Sequence, residues 1–396
     1  MTELGMALRS LRGRRVASVL TALSVALGVA LVVASVLLTR GIKAAFVEGT
    51  TDYNLVVGAK GSAAQLVLNV VFRLDSPLPN ISMSTYEDLR EDRRVEVAVP
   101  VAMGDAYRGF RYVATTPAYF ATAPWRSRPF AVTAGRFARD DPAGQPGYEA
   151  VLGAEVARRT GLGIGDRFYE GEEMAAYPLT VVGILRPRRS ADDRAIFLSL
   201  PSYWGMNEIA RAMTIKPLTA VLVRPRRLAD LPGLHRQLNV SAQTQAVFPS
   251  AVLLGIFNLL DLAEDVLALI LTLVAIVVGL YLFVSMYGAT WERRREIATM
   301  RALGARRATI LRIVLLECGV ITASGGAAGL VGGHALAYVG AQVVAGRAGV
   351  VADPFALGLL QPAVLGGAVL IGTLAGLLPA VMAYRMEVAE HLAPLS

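Results

Sequence analysis

Long apolar runs separated by polar stretches dominate the hydropathy pattern of this chain. The first run covers residues 16–39 and contains no charged side chain. At about 1.5 Å per residue, such a helix crosses a hydrocarbon core of roughly 30 Å. Three further runs have apolar centres at residues 266–287, 310–344 and 362–384. The pattern predicts a polytopic α-helical membrane protein with four transmembrane helices.

A cleaved signal peptide is the alternative interpretation of the first run. The apolar region of a signal peptide usually has about 7–15 residues, and small residues mark its cleavage site. The run here is longer, and no clear small-x-small site follows it. These features favour a transmembrane helix.

Arginines beside the apolar runs predict the orientation in the membrane. Four of them, Arg9, Arg12, Arg14 and Arg15, precede the first run, and many more lie between the second and third runs. Because basic loops stay in the cytoplasm, both termini are expected there. The predicted segments are a cytoplasmic N-terminal segment at 1–15, transmembrane helices at 16–40, 310–345 and 360–384, an extracytoplasmic domain at 41–250, a long stalk and second transmembrane helix at 251–289, a cytoplasmic helix at 290–309, a short outer loop at 346–359 and a cytoplasmic tail at 385–396.

The second span is expected to extend beyond the bilayer. Asp261, Glu264 and Asp265 precede its apolar centre and would be costly in lipid. Between Gly255 and Gly288 the run has no proline and one glycine, Gly279. A continuous helix of about 35 residues would extend roughly 50 Å and project outward as a stalk.

Residues 41–250 have the pattern of a mixed α+β domain inserted between the first and second spans. Runs rich in β-forming residues predict strands at 52–57, 95–101, 110–115, 148–152, 177–185, 195–200 and 219–223. Helices are predicted at 84–91, opened by a capping box at Ser84, at 154–160 before Gly161, and at 228–238. Residues 124–146 are expected to be irregular. Two basic turns, 186–189 and 224–227, fit solvated loops, or surfaces for anionic headgroups or a partner.

Small and ionisable residues in the last two spans suggest helix contacts. Small residues four apart let helices approach closely, within one subunit or between two copies, and the candidates are Gly325, Gly329, Gly333, Gly372 and Gly376. Glu317 lies near Arg312, which fits a snorkelling or paired acid. His334 is expected to hydrogen-bond a neighbouring helix. Whether Glu317 or His334 has a functional role stays open.

Composition supports the membrane assignment and yields no catalytic constellation. The 396 residues are 54% hydrophobic and 18% charged, with a net charge of +8. The location of the arginines favours membrane topology over nucleic-acid binding. One cysteine and three scattered histidines argue against a metal centre, and we expect no metal and no cofactor on this chain. Residues 58–62 superficially look like a phosphate loop, but their spacing does not fit.

The polar loop after the second run carries the most specific pattern in the sequence. It reads WERRREIATMRALGA over residues 291–305 and predicts a short amphipathic helix ended by Gly304. Its apolar residues Ile297, Met300 and Leu303 are expected to face the membrane or a protein groove. The loop closely resembles the signature of FtsX-like permeases in the MacB and LolC/LolE superfamily of ABC transporters. Similar segments include 153–166, 181–197 and 377–390, so the resemblance covers nearly the whole chain.

The resemblance implies a non-catalytic permease whose partners supply the ATP chemistry. It implies a homodimer or a heterodimer with a related permease, with two copies of a separate ATPase that binds ATP and magnesium. Residues implied to couple to that ATPase are Glu292, Arg293, Arg294, Arg295, Glu296, Arg301, Leu303 and Gly304. Movement would pass along the first two spans to the outer domain, by mechanotransmission and without a channel.

The sequence also departs from some members of this family. MacB carries a fused ATPase, whereas about 15 residues precede the first span here, so the ATPase is expected on another polypeptide. Residues 54–72 differ from the pattern of MacB and LolC, which argues against transferring their cargo.

Two functions follow from the resemblance. The first is export or extraction of a lipid, lipoprotein, peptide or other amphiphile, from the bacterial inner membrane, with a possible periplasmic adaptor or lipoprotein partner. The alternative is an FtsX-like transducer that activates a cell-wall hydrolase. An outer domain of about 210 residues favours transport. A membrane-anchored enzyme has no motif in its support.

Overall fold

The structure is a computed structural model that describes residues 3–49, 52–74, 76, 79–121, 129–139, 145–169, 176–188, 190–348 and 358–385. It contains two compact units. The helical unit comprises the described residues of Met1–Gly41, Asp261–Gln342 and Asp353–Ser396. The sheet unit comprises those of Ile42–Leu260 and Val343–Ala352. Most of the predicted outer loop at 346–359 and all but the first residue of the predicted tail at 385–396 lie outside the described residues.

Helices and strands alternate irregularly along the described part of the sheet unit. The described elements of the helical unit are all helices. In chain order the helices are α1 (Glu3–Gly13), α2 (Arg15–Gly49), α3 (Ala63–Val70), α4 (Met83–Glu91), α5 (Ala154–Thr160), α6 (Leu200–Met206), α7 (Glu208–Ala212), α8 (Leu231–Val240), α9 (Pro249–Glu292), α10 (Arg294–Ala302), α11 (Arg307–Ala348) and α12 (Leu360–Arg385). The strands are β1 (Leu55–Ala59), β2 (Ile81–Ser82), β3 (Val95–Tyr107), β4 (Phe110–Thr115), β5 (Val132–Gly135), β6 (Glu149–Leu152), β7 (Arg167–Phe168), β8 (Leu179–Leu185), β9 (Ala195–Ser199), β10 (Pro217–Leu218), β11 (Ala220–Pro225) and β12 (Thr244–Val247).

The prediction of four transmembrane helices is confirmed within the described residues. The segments long and apolar enough to cross a membrane are Arg15–Ala44, Pro249–Glu292, Arg307–Val344 and Leu360–Met382. Between the first and second of them lies the mixed α/β fold of the sheet unit. The helix α9 has 44 residues without a break, and α2 has 35. Each of these two helices contributes residues to both units.

Glycines bring α11 close to α2 in the helical unit. A Cβ atom built on Gly329 would lie 2.6 Å from the Ala26 carbonyl oxygen and 2.7 Å from Val29 Cβ. Gly325 and Gly333 make similar approaches to α2, one turn before and one turn after. Hydrocarbon offers helices no hydrophobic driving force to associate, so this close packing supplies the attraction. In this chain the glycines at 325, 329 and 333 therefore lie in a contact within one subunit.

The second pair of glycines brings α12 close to α11. A Cβ atom on Gly372 would overlap Thr322 Cγ2, and one on Gly376 would overlap Cys318 Sγ. Both Thr322 and Cys318 are fully buried by this contact. The helix α11 is thus packed on α2 along one side and on α12 along another.

The substitution Gly329→Ala should lower the melting temperature of the full chain in detergent. The added methyl group has no room against α2, and over-packing of this kind typically costs about 1–3 kcal/mol. The transition can be followed by the reaction of the buried Cys318 thiol with a fluorogenic maleimide. Gly319→Ala on the same helix is the matched control, because nothing lies within 4 Å of its Cβ position. Equal melting temperatures for the two variants would contradict the close contact.

The sheet unit is organised around a ten-stranded mixed sheet. The strand order is β12-β1-β11-β3-β4-β9-β6-β8-β5, with β7 paired to β8, and β10 and β2 form a separate two-stranded sheet. Most neighbours are antiparallel, but β4 pairs with β9 and β6 pairs with β8 in parallel. All five residues of β1 and of β9 are buried, which fits strands covered on both faces.

Two hydrophobic cores lie on opposite faces of this sheet. Leu55 and Val57 belong to one core and Val56 to the other, as the alternation of side chains along a strand requires. The first core is covered by α4, α5, α6 and α8. The second is covered by α3, by an aromatic cluster, and by the ends of α2 and α9. In this second core the Phe46 ring of α2 lies 4.6 Å from the Phe72 ring, and Leu253 of α9 is buried.

The predicted strands all overlap observed ones, but the structure adds strands and corrects boundaries. The prediction of an irregular segment over 124–146 was wrong for Val132–Gly135, which forms β5 and pairs with β8. The strand β12 was not predicted, because its four residues follow a polar stretch and carry little β pattern. It nevertheless pairs with β1 over the whole of its length.

Two helix starts also differ from their predictions. The N-cap of α4 is Ser82, whose hydroxyl accepts a hydrogen bond from the Ser84 amide, so the predicted capping box at Ser84 was wrong. The strand β2 ends at Ser82, and the helix therefore begins immediately after it. The predicted helix at 228–238 begins instead at Leu231, after a short 3-10 turn and with Pro232 in its first turn. The prediction for α5 is confirmed, and Gly161 follows it with a φ of +75°.

One basic turn contains a buried arginine. The Arg188 side chain is 10% exposed, its guanidinium lies 3.9 Å from the centre of the Phe130 ring, and it pairs with Asp52 at 3.8 Å. The Asp193 carboxylate accepts a hydrogen bond from the Arg188 amide. This residue therefore has a structural role within the sheet unit, and Arg189 lies outside the described residues.

An ion pair at the start of β6 should make the sheet unit sensitive to acid. Arg136 donates two hydrogen bonds to Glu149, one of them 2.7 Å long, and this pairing lowers the pKa of the carboxyl. A lowered pKa adds stability above the unfolded value of about 4.3, and this stability is lost as the pH falls through the folded value. The substitution Glu149→Gln should therefore lower the melting temperature at pH 7, and the difference from wild type should shrink below about pH 4.

Thermal unfolding of the full chain at several pH values measures this effect. Glu91→Gln, at an exposed position of α4, is the control and should leave the melting temperature unchanged. A difference between Glu149→Gln and wild type that stays constant with pH would contradict the assignment.

Candidate functional site

The candidate site is the segment that joins the second and third spans. The helix α9 ends at Glu292, Arg293 breaks the helix, and α10 runs from Arg294 to Ala302. The predicted short helix is confirmed, although Trp291 and Glu292 belong to the end of α9. The pattern read from the sequence thus covers the end of one helix and the whole of the next.

A glycine ends α10, as predicted. Gly304 has a φ of +97°, its amide donates to the Arg301 carbonyl, and the Ala305 amide donates to the Met300 carbonyl. This is the Schellman arrangement, which satisfies carbonyl groups at the end of a helix. The turn sets the direction in which the chain leaves α10 towards α11.

One face of α10 is packed against the rest of the helical unit. Ile297 is 5% exposed and belongs to one buried cluster with Ile310 and Val314 of α11 and Ala380 of α12. Met300 is partly buried in the same cluster. The inner face of α10 is therefore held by apolar contacts within the chain.

The opposite side of α10 is exposed. Leu303 is 84% exposed, so it lies outside the cluster of Ile297 and Met300, and the expectation that it faces the membrane or a protein groove stays a prediction. The helix ends at Ala302, and Leu303 already belongs to the turn that leads away from it. Arg295 is also exposed, and the Glu296 side chain is 65% exposed. These residues form the surface of α10 that a partner could reach.

Arg293 points into the helical unit and bridges three helices. Its Nη1 atom lies 3.0 Å from Glu317 Oε1 of α11, and its Nε atom donates to Glu296 Oε2 of α10 at 2.9 Å. Nη1 also donates to the Ser10 hydroxyl of α1. Glu317 is 5% exposed and is paired with Arg293, whereas Arg312 pairs with Glu3 at 3.7 Å. The expectation of a paired acid is therefore confirmed, and the partner is Arg293 and not the nearer Arg312.

Other residues of the signature also have partners within the chain. Glu292 pairs with Arg14 of the α1–α2 junction at 2.8 Å. The Arg294 guanidinium lies 4.8 Å from the centre of the Trp291 ring. Arg301 is half-buried near the end of α10. The roles of Ser10 and Arg14 had no signal in the sequence, because both contacts join residues about 280 positions apart.

His334 is hydrogen-bonded on both ring nitrogens. Its Nδ1 atom lies 2.8 Å from the Leu330 carbonyl oxygen of the same helix, and its Nε2 atom lies 3.4 Å from Gln361 Nε2 of α12. The expected contact with a neighbouring helix is confirmed. The contact joins α11 to α12 near the start of α12.

Two other features of the described chain bear on metal and phosphate chemistry. No group of three or more His, Cys, Asp or Glu residues among those described could hold a metal ion. In the loop that superficially looks like a phosphate loop, Lys60 Nζ donates to the carbonyl oxygens of Asn239 and Ser241 at 2.8 and 2.7 Å. Ser62 caps α3. These contacts give that loop a structural role.

Substitution of Gly304 should loosen the end of α10. A β-branched residue such as valine is strained at this φ, by about 1–2 kcal/mol, whereas asparagine tolerates the left-handed region better. Gly304→Val should therefore increase the hydrogen–deuterium exchange rate of the amides at 300–305 in detergent, and Gly304→Asn should do so less. Equal exchange in the two variants would contradict the role given to the turn.

Two family profiles match the sequence and together cover most of it. The MacB-like periplasmic core domain matches residues 18–240, and the FtsX-like permease C-terminal domain matches residues 268–388. The first match alone covers more than half of the chain. The second includes α10 and the last two spans.

Similar whole proteins carry an ATP-binding part as well. A macrolide export ATP-binding/permease protein MacB of Azoarcus sp. (strain BH72) is 26% identical over 409 residues, which cover 98% of this chain and 58% of that protein. The protein of the same name from Nitrobacter winogradskyi is 26% identical over 401 residues, with 96% and 58% covered. The chain spans about three fifths of the length of these curated relatives.

Among solved structures, the periplasmic region of MacB from Actinobacillus actinomycetemcomitans is similar, with a TM-score of 0.38 and 11% identity. The similarity covers 54% of this chain and 96% of that structure.

Proposed function

The chain belongs to the FtsX/MacB-type ABC permeases, and on this premise we propose that it is the membrane subunit through which a separate ATPase moves an extracytoplasmic domain. The alternative of a transducer that activates a cell-wall hydrolase is not favoured by these matches. The protein is a multi-pass membrane protein, and we place it in the bacterial inner membrane with both termini in the cytoplasm. Its partner ATPase would hold ATP and magnesium.

The exposed surface of α10 supports the docking of the ATPase. This helix follows the second span, its inner face is fixed by Ile297, and its outer side presents Arg295 and Leu303. A basic side chain on the helix and an exposed leucine in the turn after it suit a partner surface with acidic and apolar parts. Because the inner face of α10 is packed against α11 and α12, a force that a partner applies to its exposed face would be transmitted to those helices.

The two long helices support the mechanotransmission hypothesis. Phe46 of α2 and Leu253 of α9 lie in the second core of the sheet unit, and both helices run on into the helical unit without a break. An unbroken helix keeps its hydrogen bonds along its whole length, so it resists bending. Movement at the α10 end of α9 would therefore reach the core of the outer domain.

The membrane setting supports a chemical class of transported molecule and does not identify the molecule itself. We propose export or extraction of a lipid, lipoprotein, peptide or other amphiphile, by a homodimer or a heterodimer with a related permease. A periplasmic adaptor or lipoprotein would receive it. The relatives named for macrolide export share 26% identity with this chain, so their cargo remains a hypothesis here.

Charge reversal on the exposed side of α10 tests this proposal. A tagged full chain is purified from membranes of its own host, and the co-purified ATPase and its ATP hydrolysis are measured. Arg295→Glu should reduce the captured ATPase at least tenfold, because like charges replace opposite ones at the contact. Arg236→Glu, at an exposed position of α8 in the sheet unit, should leave capture unchanged. Equal capture by both variants, or no ATPase with the unaltered chain, would overturn the proposal.

A further inference from the structure

The signature around α10 contains two kinds of residue with different surroundings. Arg295 and Leu303 are exposed, whereas Arg293 has its side chain 26% exposed and its charged end directed at Glu317. The resemblance assigns all of these residues to ATPase coupling as one group. The geometry separates the exposed residues, which a partner can reach, from Arg293, whose charged group is already paired with residues of the same chain.

The Glu317 carboxylate makes the contact with Arg293 difficult to replace. The Glu317 side chain is 7% exposed. It lies in the first third of α11, within the segment Arg307–Val344 that is apolar enough to span a membrane. A buried carboxylate needs a paired cation or hydrogen-bond donors, since burial without them is costly. The guanidinium of Arg293 supplies both at 3.0 Å.

The same guanidinium joins further elements at one point. Its contacts with Glu296 and Ser10 tie it to α10 and to α1, and Glu292 next to it pairs with Arg14. The planar fork of arginine can hold several acceptors in fixed directions, which a lysine ammonium does less well. Arg293 therefore adds a polar link from α10 to α11 and α1, beside the apolar cluster that holds Ile297 against α11.

We propose that Arg293 is a positioning residue that carries displacement of α10 to Glu317 of α11 and to Ser10 of α1, and that it lies outside the surface touched by the ATPase. This inference rests on the proposed function for its coupling role. The structural claim, that Arg293 fixes the position of α10, is supported by the contacts of Arg293 with Glu317, Glu296 and Ser10.

Trypsin cleavage of the full chain in detergent tests the structural part without any ATPase. The readout is cleavage after Arg301, which requires the end of α10 to open, because Arg301 lies within that helix and is half-buried. Arg293→Gln leaves the Glu317 carboxylate buried without its cation and should speed cleavage at least fivefold. The double variant Arg293→Gln/Glu317→Gln removes both charges and should cleave more slowly than Arg293→Gln alone, since the two positions are coupled.

Two further variants control for general disruption. Arg293→Lys keeps the charge and should restore most of the protection. Arg295→Gln makes the same change as Arg293→Gln at an exposed position two residues away and should cleave at the wild-type rate. Equal cleavage of wild type, Arg293→Gln and the double variant, or effects that simply add in the double variant, would overturn the inference.

ATPase capture and ATP hydrolysis test the coupling part. Arg293→Gln should capture the ATPase within twofold of wild type but lower the permease-dependent ATP hydrolysis at least fivefold, with rescue by Arg293→Lys. Arg295→Glu should instead lose capture. Loss of capture by Arg293→Gln with unchanged trypsin cleavage would place Arg293 on the docking surface and overturn the inference. If the unaltered chain captures no ATPase, the proposed function fails, and the trypsin experiment alone decides whether Arg293 holds α10.

Discussion

The close approach of α11 to α2 is the contact on which the helical unit depends. In lipid, two helices gain little from hiding apolar surface, so they must touch closely enough for dispersion forces to act along their length. Glycines at 325, 329 and 333 allow that distance, and the valines of α2 fill the space above them. With α12 packed on the other side through Gly372 and Gly376, α11 becomes the fixed element that carries Glu317 and beside which α10 is placed.

The sequence predicted well those features that depend on local pattern. An apolar run of sufficient length specifies a spanning helix whatever surrounds it, and the four spans followed from this rule. Alternation and β-forming residues located the main strands, and Gly161 and Gly304 marked the helix ends that their φ angles require. The short edge strands β5 and β12 escaped prediction because a neighbouring strand, and not their own residues, stabilises them.

Contacts between distant segments could not be read from the sequence. Glu317 was recognisable as an unusual acid in a span, but its partner was not, because Arg312 offers a cation five residues away in the same helix, whereas Arg293 lies 24 residues away. Only the fold shows that Arg293 reaches it and that Leu303 turns away from Ile297. A sequence signature records which residues occur together, and it does not say which of them face inward.

The cover of the second core of the sheet unit has a practical consequence for work on the isolated domain. Phe46 from α2, with Leu253 and Ile256 from α9, shields the core that Val56 and Phe72 line. A soluble fragment cut at the ends of the β-sheet, near residues 52 and 248, would leave this apolar surface open to water and would tend to aggregate. A fragment that retains residues 42–260 keeps the shield and is the better starting point for crystallisation or ligand screening.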